Sequence, residues 1–370
     1  MNISLLTATG AYNLGDELIL REEYEYLQDR YLEGYFTIFT DNSESSLLPK
    51  CSNIRYISYF PNHIKSRPFQ NIVYLIQNIL AIRSSDLIVI GGGGLIYDNE
   101  SGQSFDRLLT KWKIRIWLAD FFHKPIFYWS LGIHIRSENE AKIKSLFTGE
   151  NISVSVRDTA SRKTLENIGI KATLLPDPVL LYDPEVPKLL PKKRPKIGLS
   201  FRSGYLNDEL ENIEHIITFL QANGYEIILL NHSFHPDNRV SDDADFLKQL
   251  ADKYSLTSTR SIEETLETYK ELSMVVGMRL HSLILSFVHA IPFFVISYGK
   301  KTDEFIRSIN YEYSLAARTF DIEVFKTQFL KLEGDKKAVE FALQAKNDTI
   351  KKEYSSILKK TFDGLESTRL

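Results

Sequence analysis

Short apolar runs alternate along this chain with longer stretches of helical composition. Asn2–Thr7 reads as a strand, Ala8–Gly15 as a small-residue loop and Asp16–Tyr31 as a helix. Gly10 and Gly15 permit tight turns there, and Asp16 is placed to cap the helix. Asp86–Ile90 (DLIVI) is a buried strand that ends in Gly91-Gly92-Gly93-Gly94, and Pro125–Leu131 (PIFYWSL) is another, ending at Gly132-Ile133-His134. Ile152–Val156 follows, with Arg157-Asp158 just beyond it. A second series begins at Lys196–Ser200 (KIGLS), with Arg202 past its end. The helix Asp208–Asn223 closes on Gly224, and Glu226–Asn231 is the next strand. Helices at Ala244–Tyr254 and Glu263–Leu272 lead to the strands Met274–Val276 and Phe293–Ser297, and the charged tail holds a helix over Lys336–Lys360.

Strands alternating with helices in both halves predict an α/β protein with two Rossmann-like, doubly wound parallel sheets facing a cleft. Six of the twelve prolines fall between Pro176 and Pro195, a density that resists both helix and central strand. The expected organisation is an N-terminal domain over 1–178, a linker over 179–195 and a C-terminal domain over 196–325. A helical segment over 326–370 then packs back on the domains.

Composition narrows the class without naming a chemistry. A chain of 370 residues with 43% hydrophobic and 25% charged positions is that of a soluble two-domain protein. A net charge of −3 offers no electrostatic case for nucleic acid. Cys51 stands alone, which rules out an intrachain disulfide and points to a reducing compartment. The opening MNISLLTATG has no basic segment before its apolar run and reads as a first strand, not a signal peptide. No apolar run reaches the roughly 18 to 20 residues of a membrane span. The basic, aromatic stretch Arg107–Arg115 (RLLTKWKIR) reads as a solvated helix face with a buried stripe in preference to a membrane-surface helix.

Ligands of open α/β sheets bind at the C-terminal ends of the strands, so polar residues there carry the chemistry. Arg279 and His281, two apart at a strand-to-helix turn, can point at one ligand. The helix N-terminus beside them favours an anion. Topology brings Arg202, then Arg279-Leu280-His281, then Tyr298 and Lys301 to one edge. Two guanidinium forks and an ammonium suit a small, multiply charged anion. A lone Arg or His beside a core helix is more often a satisfied buried group, so this stretch alone does not decide the matter. The four glycines read equally as a tight turn or as a close approach to ligand, and they lack the spacing of a dinucleotide fingerprint. Arg157 and Asp158 read as a helix-start ion pair and cap. His232, His235 and Asp237 follow a strand, and Asp242, Asp243 and Asp245 read as an acidic first helical turn in preference to a metal site.

The run G-M-R-L-H-S-L-I, followed by Ile291-Pro292, Ser297-Tyr298 and Lys301, resembles the C-terminal signature of the polysaccharide pyruvyl transferase family. Three earlier blocks resemble the family in order: G-A-Y-N-L-G-D-E-L-I-L, with Gly10, Asn13, Gly15, Asp16 and Glu17; the glycine run; and V-R-D-x-x-S followed by L-x-x-x-G-I. Asp177-Pro178 sits at the family's D-P position, and the resemblance runs from about Ile3 to Phe305. Gly299-Lys300 departs from the acidic residue and proline that the family often has there, which leaves Lys300 and Lys301 as rival candidates.

The resemblance implies a GT-B-like transferase that moves the three-carbon unit of phosphoenolpyruvate onto two hydroxyls of a sugar. The product is a cyclic pyruvate ketal in a cell-surface polysaccharide or its precursor, and phosphate is released. His281 would serve as acid/base, since an unperturbed imidazole titrates near neutrality. Arg202 and Arg279 would hold carboxylate and phosphate, the Leu280 amide would add a donor, and Tyr298 and Lys301 would complete the donor site. The acceptor, lipid-linked or not, would enter past Asn13, Gly15, Asp16, Gly92, Gly93 and His134. No metal or cofactor is called for, and the implied place is the cytoplasm at the inner membrane face. Two rivals share the pattern: a GT-B glycosyltransferase using a nucleotide sugar, and a non-catalytic glycan-binding relative.

Overall fold

Strands that are apolar throughout need cover on both faces, and the central strands of both sheets of the computed structural model are of this kind. The structure describes residues 1–62, 68–98, 104–149, 151–184, 194–235 and 243–367. Most of the proline-rich linker, residues 185–193, lies outside the described residues, as do Asp237 and Asp242. The chain divides into one unit of Met1–Tyr12, Asp16–Pro178 and Tyr354–Leu370 and another of Asn13–Gly15 and Val179–Glu353.

The first unit runs β1 (Asn2–Leu6), α1 (Leu14–Arg30), β2 (Tyr35–Phe39), β3 (Ile54–Ile57), α2 (Pro68–Ser84), β4 (Leu87–Ile90), β5 (Gly93–Tyr97), α3 (Phe105–Phe121), β6 (Ile126–His134), α4 (Glu140–Ile143), β7 (Ile152–Val156), α5 (Thr159–Asn167) and β8 (Thr173–Leu174). Its sheet has the order β3-β2-β1-β4-β6-β7-β8, with β5 pairing β6, and every pairing is parallel. Ile82 of α2 and Leu109, Trp112 and Ile116 of α3 join the strand residues Ile88, Ile90 and Tyr128 in one core. On α1, Tyr26 packs edge-on against Trp129, whose indole N–H donates to the Tyr354 hydroxyl at 2.9 Å.

Two local expectations are corrected here. The first helix begins at Leu14, because the Asn13 side chain accepts the Gly15 N–H at 3.0 Å and caps it, leaving Asp16 inside the first turn. Gly93 and Gly94 are not turn residues: they open β5, and only Gly91 and Gly92 separate it from β4.

The second unit runs β9 (Lys196–Ser200), α6 (Glu209–Ala222), β10 (Glu226–Leu229), α7 (Asp243–Tyr254), β11 (Thr257–Ser258), α8 (Ile262–Tyr269), β12 (Met274–Gly277), α9 (Leu280–Val288), β13 (Phe293–Ser297), α10 (Lys300–Ser308), β14 (Ser314–Ala316), α11 (Ile322–Gly334) and α12 (Lys336–Ser367). Residues of α12 from Tyr354 onward count with the first unit, where Asp363 and Glu366 pair with Arg30 at 2.6 and 3.0 Å. The sheet order β11-β10-β9-β12-β13-β14 reverses direction between β9 and β12. Each half is thus a doubly wound parallel sheet, as the alternation of strands and helices predicts. Among the described residues no helix is long and apolar enough to cross a membrane.

Candidate functional site

The reversal between β9 and β12 is a topological switch point, where loops diverge and leave room for a ligand beyond the strand ends. Gly277 closes β12 because α9 folds back tightly, and a side chain there would overlap Ser282 and Leu283. Arg279 stands in the N-cap position with extended backbone, and α9 has no side-chain cap. The amides of Leu280 and His281 therefore head a helix whose positive end is not blunted by its own side chains. Half-buried Arg279 makes a short ion pair with buried Asp243, in the first turn of α7.

Segments distant in sequence meet at this edge. Residues 13–15 belong to the second unit: Asn13 forms an antiparallel bridge with Ser233, and the Leu14 N–H donates to the His232 carbonyl at 3.0 Å. A side chain at Gly15 would run into the imidazole of His281. The opening motif of the chain thus lies against the histidine of its last motif.

His232 has no part in the sequence-based site, yet it stands beside both charged members. Its Nδ1 lies 3.2 Å from the Leu230 carbonyl, which can only accept, so Nδ1 carries the proton, and Nε2 lies 3.1 Å from the Tyr269 hydroxyl, which also reaches the Ser282 carbonyl at 3.4 Å. Burial, the charge of Arg279 and the nearness of His281 push its pKa down to about 3, against the pull of the Leu230 carbonyl. His232 is therefore neutral near pH 7. Its place shortly after β10 was the one sequence signal, and many strand ends offer as much.

Arg202, two residues past β9, donates to the Tyr298 hydroxyl at 3.1 Å, and its guanidinium lies over the rings of Tyr205 and Tyr298. The two rings pack on one another with centroids 4.6 Å apart, so an aromatic pair restrains the guanidinium. Lys300 and Lys301 are the first two residues of α10, which also lacks a side-chain cap. Cations at the positive end of a helix are unfavourable on their own, so two there favour a bound anion. Lys300 is exposed and Lys301 half-buried.

The remaining sequence candidates lie in the first unit. Gly92 donates its N–H to Glu23 at 2.7 Å, and side chains at Gly91 and Gly92 would meet Glu23 and Pro178 respectively. These glycines accommodate protein atoms. Burial raises the Glu23 pKa well above the usual carboxylate range, helped by Asp177 and opposed by the Gly92 N–H. Gly93 has φ +90° and lies near Asp16. His134 ends β6 and accepts from Arg157 at 3.2 Å. Arg157 also pairs with Asp177 at 3.3 Å, while Asp158 caps α5 through the Ser161 N–H. Among the described residues, no three His, Cys, Asp or Glu side chains are gathered closely enough to hold a metal ion.

A family model described as polysaccharide pyruvyl transferase matches residues 13–300. No curated protein matches the sequence. Among solved structures, HepE of Anabaena in complex with UDP-glucose is 14% identical with a TM-score of 0.62, the match covering 97% of this chain and 100% of that one. A glycosyltransferase from Rickettsia africae is 14% identical at a TM-score of 0.57, covering 99% and 97%. A UGT transferase from Siraitia grosvenorii in complex with UDP is 12% identical at 0.57, covering 99% of each chain. At these identities the likeness is one of fold, the GT-B type.

Proposed function

We propose, from the premise that this chain belongs to the polysaccharide pyruvyl transferase family, that phosphoenolpyruvate binds at the β9–β12–β13 edge of the second sheet and is its donor substrate. The chain is a transferase of polysaccharide modification. The observation that supports the finer reading is that Arg202, Arg279 and Lys301 follow the ends of three neighbouring strands, the last two at uncapped helix N-termini. Such a set matches a donor bearing both carboxylate and phosphate.

In this reading His281 protonates C3 of the enol, and C2 becomes an oxocarbenium-like centre to which a sugar hydroxyl adds. A second hydroxyl then displaces phosphate by cleavage of the C2–O bond and closes the cyclic ketal. One hydroxyl proton replaces the one delivered to the new methyl group, and the other leaves with phosphate. Arg202 and Arg279 hold the two anionic ends, and the Leu280 amide and Lys301 take up charge on the departing phosphate. Donor and acceptor are substrates, and the reaction so written calls on no cofactor. In this reading the acceptor approaches His281 past Asn13, which lies in the same unit as the imidazole.

The test is calorimetric titration of wild type and Arg279→Ala with phosphoenolpyruvate and, separately, with UDP. Saturable phosphoenolpyruvate binding that the variant loses is the expected result. His281→Ala should still bind the donor and lose turnover by about 100-fold or more. Tight UDP binding with none of phosphoenolpyruvate would overturn this reading in favour of a nucleotide-sugar transferase.

A further inference from the structure

Helix α2 of the first unit buries Ala81 and Ile82 at its C-terminal end but exposes most of its other apolar side chains. Its inward positions include two amides, Asn71 and Asn78, both buried. Asn71 accepts the Asn62 N–H at 2.9 Å and donates to the Asn62 carbonyl at 2.6 Å. Asn78 accepts the Phe60 N–H at 3.1 Å and donates to the Ser58 carbonyl at 2.8 Å. These bonds fix the rotation of the helix about its axis. Rolling α2 to bury its other face would strip four buried polar groups of their partners.

The face so held outward is apolar: Phe69, Ile72, Val73, Ile76 and Leu80 are 82%, 58%, 51%, 52% and 56% exposed. Their spacing follows one side of a helix. The neighbouring α3 packs beside α2 over the same core and turns Trp117 and Phe121 outward, stacked on one another at 5.5 Å. Together these side chains leave on the order of 700 Å² of apolar surface in water, more than the few hundred typical of a monomer.

Charge identifies the occupant. The only charged residue of α2 is Arg83, at its end, and the exposed basic residues of α3 are Arg107 and Lys113. Of the two acids on α3, Asp106 is paired with Lys142 at 3.4 Å, which leaves Asp120, beside Trp117 and Phe121, against the cations Arg83, Arg107 and Lys113. A second copy of this chain docking face to face would oppose these cations to their own counterparts. An aromatic pair next to lysines at the edge of an apolar plane is the arrangement of a protein seated in the headgroup region of a bilayer. We propose that the outward face of α2 and α3 is a docking surface for an anionic membrane. Its apolar stripe enters the headgroup boundary, and Arg83, Arg107 and Lys113 lie on the lipid phosphates. The local positive face overcomes the repulsion that a chain of net charge −3 would otherwise meet.

The test is co-sedimentation of the full chain with phosphatidylcholine vesicles, with and without about a quarter phosphatidylglycerol. The expected result is binding to the anionic vesicles that falls with added salt, with a blue shift of tryptophan emission that Trp117→Phe removes. The double variant Ile76→Ser/Leu80→Ser, and separately Lys113→Glu, should each weaken binding by about tenfold or more at unchanged melting temperature. The proposal is overturned if the protein stays in solution with both vesicle types at low salt, or binds both equally. It is also overturned if light scattering shows a dimer that Ile76→Ser/Leu80→Ser dissolves, since a second copy would then own this face.

Discussion

The imidazole of His281 fills the space that a side chain at Gly15 would need. Some 260 residues apart in the chain, the two are brought together because residues 13–15 lie against the loop after β10, through Asn13–Ser233 and Leu14–His232. Glycine at 15 is thus a requirement of the histidine and not only of the turn.

Gly15→Ala should therefore displace the His281 ring while the helix it sits in stays formed, alanine being the better helix former. We expect a fall in kcat of about 100-fold, equivalent to about 2.7 kcal/mol, with donor binding much less affected. Gly364→Ala, where an added methyl group meets nothing, is the control and should leave the rate unchanged. Equal rates for both variants in a phosphate-release assay would remove His281 from the reacting centre.

The Arg279–Asp243 pair makes a separate prediction. Asp243 is buried and holds the guanidinium from the side of α7, so Asp243→Ala should let Arg279 wander and raise KM for phosphoenolpyruvate by about tenfold with a smaller effect on kcat. Arg279→Lys keeps the charge and loses the fork, and should bind the donor less tightly than wild type. An unchanged KM in both variants would place the donor elsewhere.

Stability should depend on pH through His232. Its folded pKa of about 3 lies below the ordinary value of 6.5, so the unfolded chain takes up the proton first. Stability is then full above pH 6.5, declines as the pH falls, and stops declining on this account below about 3, where the folded imidazole also charges. The whole span is on the order of 5 kcal/mol. Denaturant unfolding at several values within the window should show the decline in wild type and a shallower one in His232→Gln.

Glu23 carries the opposite sign. Its folded pKa is raised by burial, so its contribution is present below the ordinary value of 4.5 and is lost as pH rises through the folded pKa. Glu23→Gln retains an acceptor for the Gly92 N–H and removes the ionisation. The variant should melt a few degrees above wild type at alkaline pH, corresponding to about 1–2 kcal/mol, and should not do so at pH 4. A lower melting temperature for the variant at both pH values would mean that the carboxyl group itself is needed against Gly91 and Gly92.

The sequence by itself determined the two parallel sheets and the strand ends where charge collects. Both follow from local rules: apolar runs such as LIVI and MVVG must be buried on both faces, and Arg202, Arg279 and Lys301 cannot be placed within such runs. It also named the family, through motifs whose spacing is local. What it could not decide was which of these local features meet. Gly15 against His281, Asp243 on Arg279 and the neutral His232 between them are contacts across long separations, set by strand order and not by neighbouring residues. The outward apolar face of α2 was hidden for the same reason. A helical pattern shows two faces, and only the hydrogen bonds of Asn71 and Asn78 to residues 58–62 determine which one turns to the core.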